Sequence, residues 1–327
     1  MVRPVLDTSE KPLLILAGPT GVGKSDIAIK LALDLGGEII SADSVAVYRG
    51  LDIGSAKPTR KMMETVPHHM VDILDPDEYF GVDEFVRLAG QAMTDIWGRG
   101  HLPIITGGTG FYIQALLYDI DFDDESEPDD GYREILGEKA STEEGRLELY
   151  EMLKKTDPEY AETVHPNNSR RVIRALEYNK HTGRLFSELN KEQRNRISPY
   201  DFCYVALDLD RESLYKRIDL RVDKMMEAGL PGEVRGLKDK GYGSDLNSMS
   251  SIGYKEIMAY LEGRYDLDTA VEEIKKNSRH YAKRQLTWLR RERDVIFMSR
   301  DLQDENDEDN IVTKIEELLT KKGITVI

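Results

Sequence analysis

Lys24 and Ser25 close the run Gly18-Pro-Thr-Gly-Val-Gly-Lys-Ser25, which fills every fixed position of Gly-x4-Gly-Lys-Ser/Thr. Glycines at this spacing let the main chain curl until successive N–H groups point into one concavity, at the positive end of the helix that follows. Gly18, Pro19, Thr20, Gly21, Val22 and Gly23 would form the cradle. Lys24 would reach a terminal phosphate, and the Ser25 hydroxyl would hold a divalent metal. The motif needs a strand before it and a helix after it. Leu13-Leu-Ile-Leu-Ala17 is an apolar run suited to a buried strand, and Asp26-Ile-Ala-Ile-Lys-Leu-Ala-Leu33 has helical periodicity. A glycine-rich turn that binds nothing is the competing reading, and the complete spacing argues against it. The chain is built to grip a di- or triphosphate.

Further candidates sit at the ends of later strands. Residues 38–42 read as a strand that delivers Asp43 to the crevice at the carboxyl edge of a parallel sheet. A carboxylate there could hold a metal or accept a proton, although capping the next segment is its simpler role. Residues 102–106 lead into Thr106-Gly-Gly-Thr-Gly-Phe111, which offers close backbone approach and the Thr109 hydroxyl. The absence of an acid at that strand end counts against nucleotide hydrolysis. Arg217 and Arg221 lie one helical turn apart in 211–228 and could neutralise a departing diphosphate, with surface pairing to Asp219 or Glu212 as the plainer alternative.

The elements that must position these groups alternate over residues 13–118, with a helix at about 82–97 before the third strand. That alternation predicts an α/β fold with a parallel sheet wound on both faces. The stretch 119–130 carries eight acids and breaks the pattern. Helices alone are expected from 131 to 198, including 146–155, 169–180 and 187–195. The sheet resumes at 202–208, a long helix covers about 267–292, a last strand covers 295–298, and a helix covers about 311–321. The six acids of 301–309 read as a solvated linker. The expected division is a core of 1–118 and 199–327 with an all-helical insertion at 119–198.

Charge sharpens this division. The chain has 327 residues and a net charge of −16, yet residues 170–196 hold eight Lys/Arg against three acids and 275–293 hold eight against one. At ~100° per residue, Arg170, Arg171 and Arg174 fall opposite Val172, Ile173 and Leu176. Likewise Lys276, Arg279, Lys283 and Arg290 fall opposite Val271, Ile274, Tyr281, Trp288 and Leu289. One-signed strips in an acidic protein suit an anionic ligand larger than a nucleotide. No apolar run approaches the ~18 residues of a membrane span, so no membrane partner is expected. The single cysteine, Cys203, excludes an intramolecular disulfide and suits a cytoplasmic protein. A monomer is the expected species.

Taken together the motifs resemble the tRNA dimethylallyltransferase (tRNA isopentenyl transferase) family. The resemblance runs through Gly18–Ser25, Asp43-Ser-Val-Ala-Val-Tyr-Arg-Gly50, Asp52-Ile-Gly-Ser-Ala-Lys-Pro58 and His68-His-Met-Val-Asp72. It continues through Gly107-Gly-Thr-Gly-Phe-Tyr-Ile113, Asn168–Glu177, Arg217–Met225, Ser251-Ile-Gly-Tyr-Lys-Glu256 and Tyr281–Trp288. It implies a P-loop NTPase-like core whose helical insertion grips the anticodon stem-loop of tRNA. It further implies transfer of a dimethylallyl group from dimethylallyl diphosphate to N6 of adenosine 37, without consumption of ATP. In that scheme Asp43 takes the N6 proton, Thr109 positions the reacting centre, and Mg2+ at Ser25 joins Lys24 and Arg221 on the diphosphate. Ser44, Val45 and Ala46, with Arg170, Arg171, Val172, Ile173, Arg174 and Lys283, correspond to tRNA-contacting positions. Ala46 departs from the glutamine usual there, so any hydrogen bond from that side chain is missing. A small-molecule kinase using 119–200 as a lid, or an enzyme prenylating free AMP, are the rival readings. A mononucleotide needs no basic helical insertion.

Overall fold

The computed structural model describes residues 11–118, 120 and 131–324, so most of the acidic stretch 119–130 lies outside the described residues. Two compact units are present, one made of the chain up to Leu117 together with residues from Pro199 on, the other of Tyr118–Ser198.

The first unit is organised by six parallel strands: β1 (Pro12–Ala17), β2 (Gly37–Ala42), β3 (His68–His69), β4 (Leu102–Gly107), β5 (Asp201–Asp208) and β6 (Val295–Ser299). They lie in the order β3-β2-β4-β1-β5-β6. From β1 the chain moves outward to β2 and β3, returns to β4 beside β1, then crosses to β5 and β6. Right-handed crossovers in opposite directions place helices on both faces, and the reversal between β1 and β4 opens a crevice at their carboxyl ends. All six residues of β1 are buried, as a central strand covered on both sides requires.

Helices α1 (Lys24–Asp34), α2 (Arg60–Thr65), α3 (Val82–Gly98) and α4 (Gly110–Leu117) connect the first strands. In α3 the buried residues Phe85, Ala89, Met93 and Ile96 recur at helical spacing and turn one stripe inward. The second unit contains α5 (Tyr132–Lys139), α6 (Glu143–Thr156), α7 (Pro158–Ala161), α8 (Ser169–Thr182) and α9 (Phe186–Asn195). Its own core gathers Leu136, Leu149, Leu153, Tyr160, Val172, Leu176 and Phe186. The buried Asp157 ties its helices together, accepting from the Tyr160 and Ser187 N–H groups at 3.0 and 2.8 Å. The first unit then continues through α10 (Arg211–Glu227), α11 (Leu230–Asp239), α12 (Tyr254–Leu261), α13 (Leu267–Leu289) and α14 (Asp307–Lys321).

Two sequence expectations are corrected. His68-His69 forms a sixth, two-residue strand, too short and too polar to show as an apolar run. The acidic segment 301–309 is not simply a solvated linker, because Asp307 is buried and begins α14.

Strand register sets up the site. Ala42 lies opposite Gly107, Gly107 opposite Ala17, and Ala17 opposite Ala206. The carboxyl ends of β2, β4 and β1 therefore stop on one line, with β5 running two residues past it, and whatever follows those three strands is delivered to the same rim. No side chain fits at Gly107, where a Cβ would lie 2.3 Å from the Ala42 carbonyl oxygen.

Candidate active site at the carboxyl rim

Directly beyond that rim lies a cavity of about 980 Å³ lined by Thr20, Gly21, Gly23, Lys24, Ser25, Asp43, Ser44, Val45, Ala46, Gly108 and Arg221, among others. The glycine-rich loop after β1 forms one wall. Gly23 caps α1 with φ 93, the left-handed conformation that favours glycine and turns the following amides toward an anion. Pro19 and Val22 are buried, so they contribute backbone to the loop, and Val22 packs its side chain into the core.

Lys24 Nζ donates to the carbonyl oxygens of Gly18 and Pro19, each at 2.9 Å. Burial, and then the neighbouring Arg221, pull its pKa down to about 7, while Asp43 pushes the other way. Arg221 is itself held below the usual guanidinium range by burial, with Asp43 again opposing. Two cations crowded together beside a single carboxylate create a site that gains when a polyanion enters. Arg217 Nε donates to the Gly21 carbonyl at 2.7 Å and Arg221 Nη2 to the Ser55 carbonyl at 3.3 Å. Arg217 and Arg221 thus both face the cavity, and pairing with Asp219 or Glu212 is not their role.

Asp43 follows β2. Its Oδ1 accepts from the Val45 and Ala46 N–H groups at 2.8 and 3.3 Å, a turn that fixes the carboxylate. Among the described residues no donor is paired with Oδ2. Capping and chemistry are therefore divided between the two oxygens of one side chain.

The floor between these groups is held by residues that their local sequence does not single out. Gln285 of α13 accepts from the Thr20 N–H at 2.8 Å and donates to the Gly108 carbonyl at 3.1 Å, joining the loop after β1 to the turn after β4. Tyr281 lies one turn earlier on the same helix, and burial followed by the charge of Asp43 pushes its pKa up to about 12. Thr109 does not line the cavity. On the opposite wall, Glu233 of α11 accepts from Ile53 N–H at 2.8 Å and from the Tyr254 hydroxyl at 2.7 Å. Gly54 is pressed against that tyrosine ring, and this anchors the loop that carries Ser55 and the buried Lys57.

The cationic strip on α13 is partly neutralised, contrary to the sequence reading: Arg279 pairs with Asp219 at 2.5 Å, Lys275 with Asp223 at 2.8 Å and Lys276 with Glu273 at 2.9 Å. Lys283 is exposed and outside the cavity lining. In the helical unit Arg170 and Arg171 are exposed and Ile173 is half-buried. Arg174 leans over the Phe186 ring at 5.7 Å. Val172 is fully buried, so its side chain packs in that unit's core and only its backbone remains for an external partner.

For a metal, the described residues contain no group of three or more His, Cys, Asp or Glu that could hold one. The exposed Ser25 hydroxyl at the cavity wall suits Mg2+, which keeps several waters and takes its remaining ligands from substrate phosphates.

Fold order, loop and rim together define an α/β protein with a P-loop-like core. Comparison with known proteins narrows the class. The profile of the IPP transferase family matches residues 46–292, and that of the isopentenyl transferase family matches residues 12–72. The chain belongs to the IPP transferase family. It is 52% identical over 314 residues to a tRNA dimethylallyltransferase of Lachnoclostridium phytofermentans, covering 96% of this chain and 99% of that one. Among solved structures it is similar to the full-length tRNA isopentenylpyrophosphate transferase of Bacillus halodurans, with 41% identity, TM-score 0.72 and coverage of 96% and 98%. A eukaryotic dimethylallyltransferase acting on tRNA matches with TM-score 0.80 at 29% identity, covering 96% of this chain and 80% of that one.

Proposed function

We propose that the protein transfers a dimethylallyl group from dimethylallyl diphosphate to N6 of adenosine 37 in tRNA, releasing diphosphate. The observation that carries this reading is one cavity holding a phosphate loop, two under-compensated cations and a fixed carboxylate. An exocyclic adenine amine is a weak nucleophile, so the allylic C1–O bond must break easily. Amides of the loop, Lys24 and Arg221 stabilise the negative charge gathering on the departing diphosphate, which keeps the electron pair of that bond. The N6 lone pair forms the new bond to C1. N6 thereby becomes strongly acidic and its proton passes to Asp43, for which an ordinary carboxylate suffices. Ser25 would hold Mg2+, which would further neutralise the diphosphate.

The tRNA is held by its anticodon stem-loop, with Arg170, Arg171 and Arg174 on backbone phosphates and the target adenosine extruded from the loop. Ser44, Val45 and Ala46 contact that nucleotide mainly through backbone. We place the enzyme in the cytoplasm, with its tRNA substrate, as a monomer. The deciding experiment incubates protein, unmodified tRNA, dimethylallyl diphosphate and Mg2+ without ATP, then analyses tRNA nucleosides by mass spectrometry. An N6-dimethylallyl adenosine is expected. An obligatory ATP requirement, or preference for AMP over an anticodon stem-loop, would end the assignment.

A further inference from the structure

Backbone that curls its amides inward around an anion turns carbonyls outward, and each buried carbonyl needs a donor. In this loop Lys24 meets the carbonyls of Gly18 and Pro19, but Lys24 is the side chain that must move onto phosphate oxygens. The remaining anchors are Arg217 on Gly21 and Arg300, whose Nη1 donates to the Val22 carbonyl at 3.0 Å and to that of Gly23 at 3.4 Å.

Arg300 is the residue that follows β6, and its own N–H donates to the Asp208 carbonyl at 2.9 Å. It is 9% exposed and does not line the cavity, so it cannot itself touch a bound diphosphate. Each of its three nitrogens has a partner: Nε donates to Asp307 Oδ2 and Nη2 to Glu308 Oε1 at 3.3 Å, while Nη1 serves the loop. Asp307 is 7% exposed, and its second oxygen accepts from the Asp301 N–H at 2.7 Å. The guanidinium fills the space beside Gly23, where a Cβ would lie 2.6 Å from Nη1. A charge buried this deeply is retained for registry more readily than for stability.

We propose that Arg300 and Asp307 form a positioning clamp that holds the phosphate loop in its anion-binding curl from behind, giving the C-terminal helix α14 a direct part in diphosphate affinity. Neither family profile reaches these residues. The proposal rests on the reading that the loop holds dimethylallyl diphosphate.

The test measures steady-state transfer with each substrate varied in turn, and titrates inorganic pyrophosphate with Mg2+ by calorimetry, all on the full-length chain. For Asp307→Asn, the KM for dimethylallyl diphosphate and the Kd for pyrophosphate each rise roughly tenfold, the loss of one charge-assisted hydrogen bond. The KM for tRNA and kcat stay near wild type. Arg300→Met shows a larger rise, and Arg300→Lys, which can still meet the Val22 carbonyl, recovers part of it. Unchanged pyrophosphate affinity in Asp307→Asn and Arg300→Lys overturns the clamp, and so does a parallel rise in the KM for tRNA. Should Arg300→Met fail to fold, the two milder variants decide. If the wild-type protein prenylates no tRNA, the functional reading falls, whereas the pyrophosphate titrations still judge the clamp.

Discussion

Two carboxylates five residues apart, one on β2 and one just beyond it, show what distinguishes architecture from chemistry in this fold. Glu38, at the amino end of β2, is 3% exposed and surrounded by donors: Arg99 grips both oxygens at 2.9 and 2.8 Å, and His69 and His101 each approach to 2.7 Å. These partners overcome its burial and hold its pKa down at about 2. Asp43, just past the carboxyl end, spends one oxygen on its own turn while its field acts on Lys24, Arg221 and Tyr281 around the cavity. The saturated group binds the sheet edge together. The unsaturated one is left free to do work.

That contrast predicts opposite mutant phenotypes. Asp43→Asn removes the proton acceptor while keeping the turn's acceptor oxygen, so kcat falls about 10²–10⁴-fold with the melting temperature unchanged. Single-turnover assays beside thermal unfolding check it, and near-normal turnover would move the base elsewhere. Glu38→Gln leaves Arg99 without its anion and costs about 2 kcal/mol of stability, with transfer by the folded fraction intact. Denaturant titration measures this cost, and a loss of turnover without a loss of stability would erase the distinction.

The same pair separates along the pH axis. Because the folded pKa of Glu38 lies below its ordinary 4.5, its contribution is complete above pH 4.5 and disappears as pH falls toward 2. Acid unfolding of wild type should therefore steepen in that window, and Glu38→Gln should flatten it. Lys24 runs the other way. With a pKa near 7 in the unliganded site, it is largely neutral at pH 8 and takes up a proton when a diphosphate arrives. Calorimetry of pyrophosphate binding in buffers of different ionisation enthalpy should report uptake of up to one proton at pH 8 and almost none at pH 6. The mildest effect belongs to the helical unit: Arg174→Ala should lower the salt slope of tRNA binding by about one without touching diphosphate affinity.

Much of this was legible in the chain. The strand, loop and helix around Lys24 are contiguous, and Asp43 and Thr109 each follow directly from a recognisable strand, so local pattern reaches them. Arg221 was visible on its helix face but not its direction, which only the packing of α10 against the cavity decides. Gln285 and Arg300 escaped because their partners lie 265 and 278 positions away along the chain. Nothing local marks a glutamine inside a basic helix, or an arginine before an acidic run, as a support for the phosphate loop. Glu233 escaped for the same reason, serving a loop 180 residues distant.

Gly107 and Gly108 present bare backbone where the end of β4 meets the cavity. Nothing there can be trimmed further, so any redesign toward bulkier allylic donors has only the walls to work with. Phe80, Tyr112 and Met225 are among the wall residues whose truncation would enlarge the chamber, and each is also buried in the packing around it.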